Sequence, residues 1–114
     1  LSEDASKLFR EYLKLYKFTA KLAIERMELI SGVEPNSSEQ RIHTEVMNKE
    51  IKPKLEEYGR LIYSAILSYN KNPTDVPSLT TEDIQEAQLV QDEVSSMLGK
   101  VGIHIQYARD ANTY

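Results

Sequence analysis

Leucine recurs every seven residues at Leu8, Leu15, Leu22 and Leu29, inside the stretch LFREYLKLYKFTAKLAIERMELI. A second stripe, Phe9, Leu13, Tyr16, Ala20, Ala23, Met27 and Ile30, alternates steps of four and three. Both are helical periods, and their starting points differ by one residue, about 100° around a helix axis. Together they make an apolar face wider than one helix–helix seam requires. A chain carrying such a helix folds by surrounding it with other helices or by sharing it with a partner.

The remaining apolar pattern supplies the other helices. Asn36 with Glu39 three residues on reads as a helix start, and Ile42, Val46 and Met47 carry the first part of that helix. Ile51, Leu55, Tyr58, Ile62, Ala65 and Tyr69 continue it in a four-three alternation. Pro53 falls within this run, so a kink is expected near Lys49–Lys52, with the helix continuing through it. NKNPTDVPSL, residues 70–79, is the clearest loop. Thr80 then reads as an N-cap, with Asp83 as its reciprocal acid and Leu79 and Ile84 as a hydrophobic staple. Ile84, Ala87, Gln91, Val94, Leu98, Val101, Ile105 and Ala108 keep helical spacing, with Gln91 as the polar interruption. Gly99 and Gly102 fit close packing of this helix on a neighbour, or else a break there. Gly32 is expected to end the first helix in the left-handed conformation.

The expectation is all-α: an elongated antiparallel up-down-up three-helix bundle, one domain over residues 1–114, with helices at about 3–31, 37–70 and 81–111. Such helices are about 43 to 54 Å long at 1.5 Å per residue.

Composition narrows the function classes. The net charge is −4, and the 14 basic residues are interleaved with 18 acids, which argues against nucleic acid as a partner. There is no cysteine, which excludes disulfides, thiolate catalysis and Cys-ligated metals in this chain. No run of about 18 apolar residues is present, so no transmembrane segment is expected. Lack of cysteine suits either redox compartment; the first residue is not methionine, so removal of a signal peptide, a lipid-anchored leader, a tag or a neighbouring domain is expected, with a lean to an extracytoplasmic protein.

Candidate chemistry is sparse. Di-iron bundles place Glu three residues before His on two helices, whereas Gln40 precedes His43 and Val101 precedes His104. His43 reads instead as a helix-surface residue paired with Glu39. Asp75, Thr74, Thr80, Thr81, Glu82 and Asp83 could offer oxygen ligands, but the EF-hand spacing is missing and helix capping accounts for them. No Gly-rich phosphate loop and no Ser in a nucleophile context is found, and acids such as Glu50 read as surface partners of lysines such as Lys54. No enzyme activity, metal or cofactor is expected. Tyr16, Tyr58 and Tyr69 fall at core spacing, while Tyr12 lies on the leucine stripe and Tyr63 lies off the second helix's seam. The candidate interface is therefore Leu8, Tyr12, Leu15, Leu22, Leu29 and Tyr63.

Three long helices in about a hundred residues, the last reading EDIQEAQLVQDEV, resemble tubulin-binding cofactor A. That likeness implies a small three-helix chaperone that holds a tubulin client on charged helix faces. Pro35 at a short turn with His43 soon after also resembles uncharacterised helical proteins exported by prokaryotes, which implies location more than activity. Three readings stand: a non-catalytic interaction or scaffold module that self-associates through the first helix or binds a protein partner, a client-binding chaperone, and a ligand-binding bundle. The stripe Phe9–Ile30 and the stripe Leu8–Leu29 are expected to face different helices, and any leucines left over mark the interface.

Overall fold

A computed structural model of the chain describes residues 2–75 and 79–104. It is an all-α three-helix bundle. The first long helix is α1, Ser2–Ser31. The second is a continuous rod made of α2, Ser38–Val46, a π-helical turn, Met47–Ile51, and α3, Lys52–Lys71. A short 3-10 turn, Pro73–Asp75, precedes α4, Thr81–Lys100. The molecule measures 52 × 29 × 18 Å, the long dimension being that of its helices.

Both neighbours pack on one side of α1. Phe9, Leu13, Tyr16, Ala20 and Ala23 are buried there, against Met47, Ile51, Leu55, Ile62 and Ile66 of the second rod and Ala87, Val90, Val94 and Leu98 of α4. Contacts give the relative course of the helices. Tyr12 meets Tyr58 while Arg26 meets His43, the reversed order of antiparallel neighbours. Ser6 meets Asp83 while Lys17 meets Glu93, the same order on both helices.

The expectation that the two stripes of α1 face different helices is not met. Three helices at similar spacings form a triangle, so the two neighbours of α1 stand only about 60° apart as seen from it. The inner stripe serves both. The leucine stripe lies about 100° further round and is left outside.

Pro53 is passed without interruption. Its ring lacks an N–H and would strike the preceding turn of a regular helix. Here Lys52 N–H donates to the Met47 carbonyl five residues back, and the widened turn makes room for the ring. Expected seam residue Ile42 is instead 62% exposed, and Gly59, Tyr63 and Ile66 are buried on the α3 face.

Helix ends correct several sequence expectations. Gly32 does not take positive φ; Asn36 does, at 63°. The cap of α2 is Ser37 and not Asn36: Ser37 Oγ accepts from Gln40 N–H at 3.1 Å. The Gln40 side chain accepts in turn from Asn36 N–H at 2.9 Å and donates to the Ile30 carbonyl at 3.1 Å. One amide thus serves the end of α1 and the start of α2 together. The cap of α4 is as the sequence indicates, with Thr80 and Asp83 bonding each other's backbone N–H at 3.1 Å. α4 ends at Lys100, so of the two roles open to its glycines the break is the one taken, and the expected helix to residue 111 is shortened. Gly102 sits at φ 80°, its N–H donating to the Gly99 carbonyl at 3.1 Å and Ile103 N–H to Leu98 at 2.9 Å, the Schellman arrangement. Ile105, Ala108 and the rest of that segment lie outside the described residues.

The two glycines make opposite predictions. An added Cβ meets nothing within 4 Å at either position. Gly99→Ala, in the helix, raises stability by about 0.5–1 kcal/mol through reduced backbone freedom in the unfolded chain. Gly102→Ala lowers it by about 1 kcal/mol through its left-handed φ. Urea unfolding of both variants measures the pair.

Candidate functional site

The leucine stripe is exposed along the length of α1. Leu8 is 58% exposed, Leu15 40%, Leu22 36% and Leu29 46%. The sequence reading missed one member, Phe18, which is 60% exposed. Its signal was available: it lies three residues after Leu15 and four before Leu22, on the same helix face.

Two tyrosines proposed for this surface lie elsewhere. Tyr12 is half-buried at its edge, with its ring 5.9 Å from that of Tyr58 at an interplanar angle of 47°. Tyr63 is only 3% exposed, and its hydroxyl shares a hydrogen bond with Ser95 on α4 at 3.4 Å. Burial drives the Tyr63 phenol above its ordinary value, against the lowering effect of the Ser95 bond. It belongs to the packing of α3 on α4, because α3 turns a broader face inward than its four-three seam suggests. Tyr69 caps the other end of that contact, its hydroxyl bonding Thr81 Oγ1 at 2.6 Å.

A groove of about 380 Å³ runs between α1 and α4. Leu13 and Val90 are its apolar lining. Arg10, Lys14 and Lys17 stand on one wall and Glu82, Asp83 and Glu86 on the other. Two of its lysines pair with acids outside the facing wall: Lys17 reaches Glu93 of α4 at 3.3 Å, and Lys14 reaches Glu11 of its own helix at the same distance. Surface pairs of this kind contribute about 0–1 kcal/mol each. Lys54 pairs with Glu57, at 3.3 Å, where the sequence suggested Glu50.

Asp83 is the buried acid of the groove, and its hydrogen bonds fix its role. Its carboxylate accepts from the Ser6 hydroxyl of α1 and from Thr80 N–H. Burial opposes its ionisation, but the bonds from Ser6 and Thr80 and the nearby Arg10 together hold its carboxyl below the usual range. A proton donor or nucleophile needs a free face toward substrate, and this carboxylate is committed to a cap and a helix–helix tie. Among the described residues no buried side-chain polar atom lacks a partner.

His43 is tied to Arg26 and not to Glu39: Arg26 Nη1 donates to His43 Nδ1 at 3.0 Å. A guanidinium has no acceptor, so Nδ1 carries the lone pair and Nε2 the hydrogen. Asn72 Oδ1 accepts from both the N–H and the hydroxyl of Thr74, turning the loop locally. The Asp75 side chain lies outside the described residues. Among the described residues no three His, Asp or Glu side chains gather as metal ligands, and no helix is long and apolar enough to cross a membrane.

Two measurements check these assignments. Because the Asp83 pKa is lowered on folding, its stabilisation is present above the unfolded carboxylate value of about 4 and is lost as pH falls through the lower folded value. Urea midpoints should therefore drop across that acidic window in the native chain, and more weakly in Asp83→Asn. Nitrogen-15 NMR of the imidazole should show His43 as the Nε2–H tautomer, shifting toward a mixture in Arg26→Ala.

Compared with protein-family models, with curated proteins and with solved structures, the chain matches none of them.

Proposed function

We propose that this protein is a non-catalytic interaction module whose working surface is the outer face of α1. The observation that carries the reading is the row Leu8, Leu15, Phe18, Leu22 and Leu29, each at least 36% exposed, with Glu11 and Glu25 at the positions equivalent to Phe18 in the flanking turns. Singly exposed apolar residues such as Leu89 and Ile42 are ordinary on a protein surface. Five large ones along one helix face are not, and such groupings mark places where another surface sits. Burying a leucine or phenylalanine fully contributes about 1.5–3 kcal/mol. These side chains are already about half covered, so each has roughly half that amount left to gain, before the costs of association.

The polar groups support the same reading from the other side. The groove between α1 and α4 is lined by opposed charges, and its buried acid already has hydrogen-bond donors. A rigid frame with one greasy helix face turned outward suits holding a protein partner.

Two experiments test it. Leu15→Glu and Leu22→Glu should each leave far-UV circular dichroism intact and change stability by no more than about 0.5 kcal/mol, as surface substitutions do. Loss of helix would put these leucines in the core and sink the reading. A photoreactive residue at Leu22, irradiated in the native cell, should capture a polypeptide, whereas one at Leu89 should not; equal or no capture at both positions overturns the reading.

A further inference from the structure

Among the α-helices, α2 is the one held least by burial. None of its nine residues is fully buried, and Ile42 is 62% exposed. Few buried apolar contacts mark a segment that opens locally at low cost. Besides the partly buried Val46 at its end, two side-chain bonds fasten α2 to α1. Gln40 Nε2 donates to the Ile30 carbonyl at 3.1 Å, and three residues on His43 Nδ1 accepts from Arg26 Nη1 at 3.0 Å. Beyond them Met47 and Ile51 of the π turn are buried, so the firm part of the second rod begins where α2 ends.

The second bond exists in one protonation state only. A guanidinium carries donors alone, so His43 accepts from Arg26 while Nδ1 keeps its lone pair, and an imidazolium has no lone pair to offer. A proton on His43 removes the bond and sets two cations face to face. The elements packed most on α2 are α1 and the π turn. On α1, Glu25 and Glu28 are exposed and stand about 100° and 160° around the helix from Arg26, so Arg26 is the charge that faces His43. On the π turn, Lys49 and Glu50 are exposed. On α2 itself, Arg41 and Glu45 lie two residues to either side of His43 and are exposed, while Glu39 stands one turn before it, in the place of an i,i+4 partner. We infer that His43 is a proton-operated latch: neutral, it holds α2 against α1 through Arg26; protonated, it turns to Glu39 of its own helix and α2 comes away, hinging at the π turn. Imidazoles ordinarily exchange their proton between about pH 8 and pH 5. Docking of α2 is complete above that range and is lost as the pH falls through it, because the proton occupies the site of the Arg26 bond. Release uncovers Ile30 and Val46, which are partly buried against the core. The latch thus sets whether one end of the bundle is closed or open.

Amide hydrogen exchange, corrected for the intrinsic pH dependence of the chemistry, tests the latch. On acidification across the imidazole range the protection of the α2 amides should fall about two- to tenfold, the span of one hydrogen bond, while α3 and α4 keep theirs. Constant α2 protection in the native chain overturns the inference. Arg26→Met removes the bond and the repelling cation together, so its α2 protection should be low and should no longer change with pH. His43→Gln offers no imidazole to protonate and should lose the pH dependence too. Persistence of the native pH dependence in either variant overturns the latch. His104→Gln changes the other histidine and should behave as the native chain; if it abolishes the effect, the switch is not His43. Far-UV circular dichroism confirms that each variant is folded. A second reading comes from the native chain alone: α2 backbone NMR shifts should move together with the His43 imidazole titration, and α2 shifts that stay fixed while His43 titrates overturn the coupling.

Discussion

The bundle depends on the inner face of α1, which both other helices share. Ala20 and Ala23 are fully buried in the middle of that face, where small side chains let two rods approach one helix at once. Tyr16, also fully buried, fills the wider space one turn earlier. Because one face satisfies two neighbours, α1 has no apolar residues to spend on its far side, yet it carries them there. The exposed row follows directly from the triangular packing, since among the described residues no third neighbour covers it.

Polar groups tie the helices together at the ends, where the apolar core thins out. Asp83 caps α4 and takes the Ser6 hydroxyl from α1 with the same carboxylate. Gln40 does the corresponding work at the opposite end of α1, bridging the Ile30 carbonyl and the Asn36 N–H. Each satisfies orphaned groups of a helix end while fixing its position against another helix. Together they account for polar side chains that would otherwise look like candidates for chemistry.

Most of this fold was legible in the sequence, because long helices announce themselves through periodicity and α4 through its Thr80–Asp83 box. The inner stripe of α1 and the run Ile84, Ala87, Gln91, Val94 and Leu98 are all buried or partly buried as their spacing indicates. What escaped was set by relations between helices. No periodicity in α1 reveals whether its two neighbours stand on one side or two, so the fate of the leucine row was undecided. Tyr63 escaped for the same reason: its burial depends on how α3 is rotated against Ser95 of α4. Phe18 was readable from its spacing to Leu15 and Leu22, and Arg26–His43 was not, because a side-chain hydrogen bond across helices leaves no local pattern. The cap at Ser37 depended on choosing between adjacent residues with similar preferences.

The π turn at Met47–Ile51 carries a consequence for how the second rod is read. His43, Met47, Ile51, Leu55 and Gly59 follow each other in steps of four, and all are at least half-buried. On an unbroken α-helix each such step drifts by about 40°, which over this span would turn the two ends of the row onto different sides. One extra residue in the turn offsets about 100° of that drift. The turn therefore acts as a phase shifter between α2 and α3. A chain shortened by one residue here would gain a regular helix and lose its alignment, swinging His43 away from Arg26 and Gln40 away from the end of α1. The irregular turn is what allows a rod containing a central proline to keep its buried row turned toward the same core.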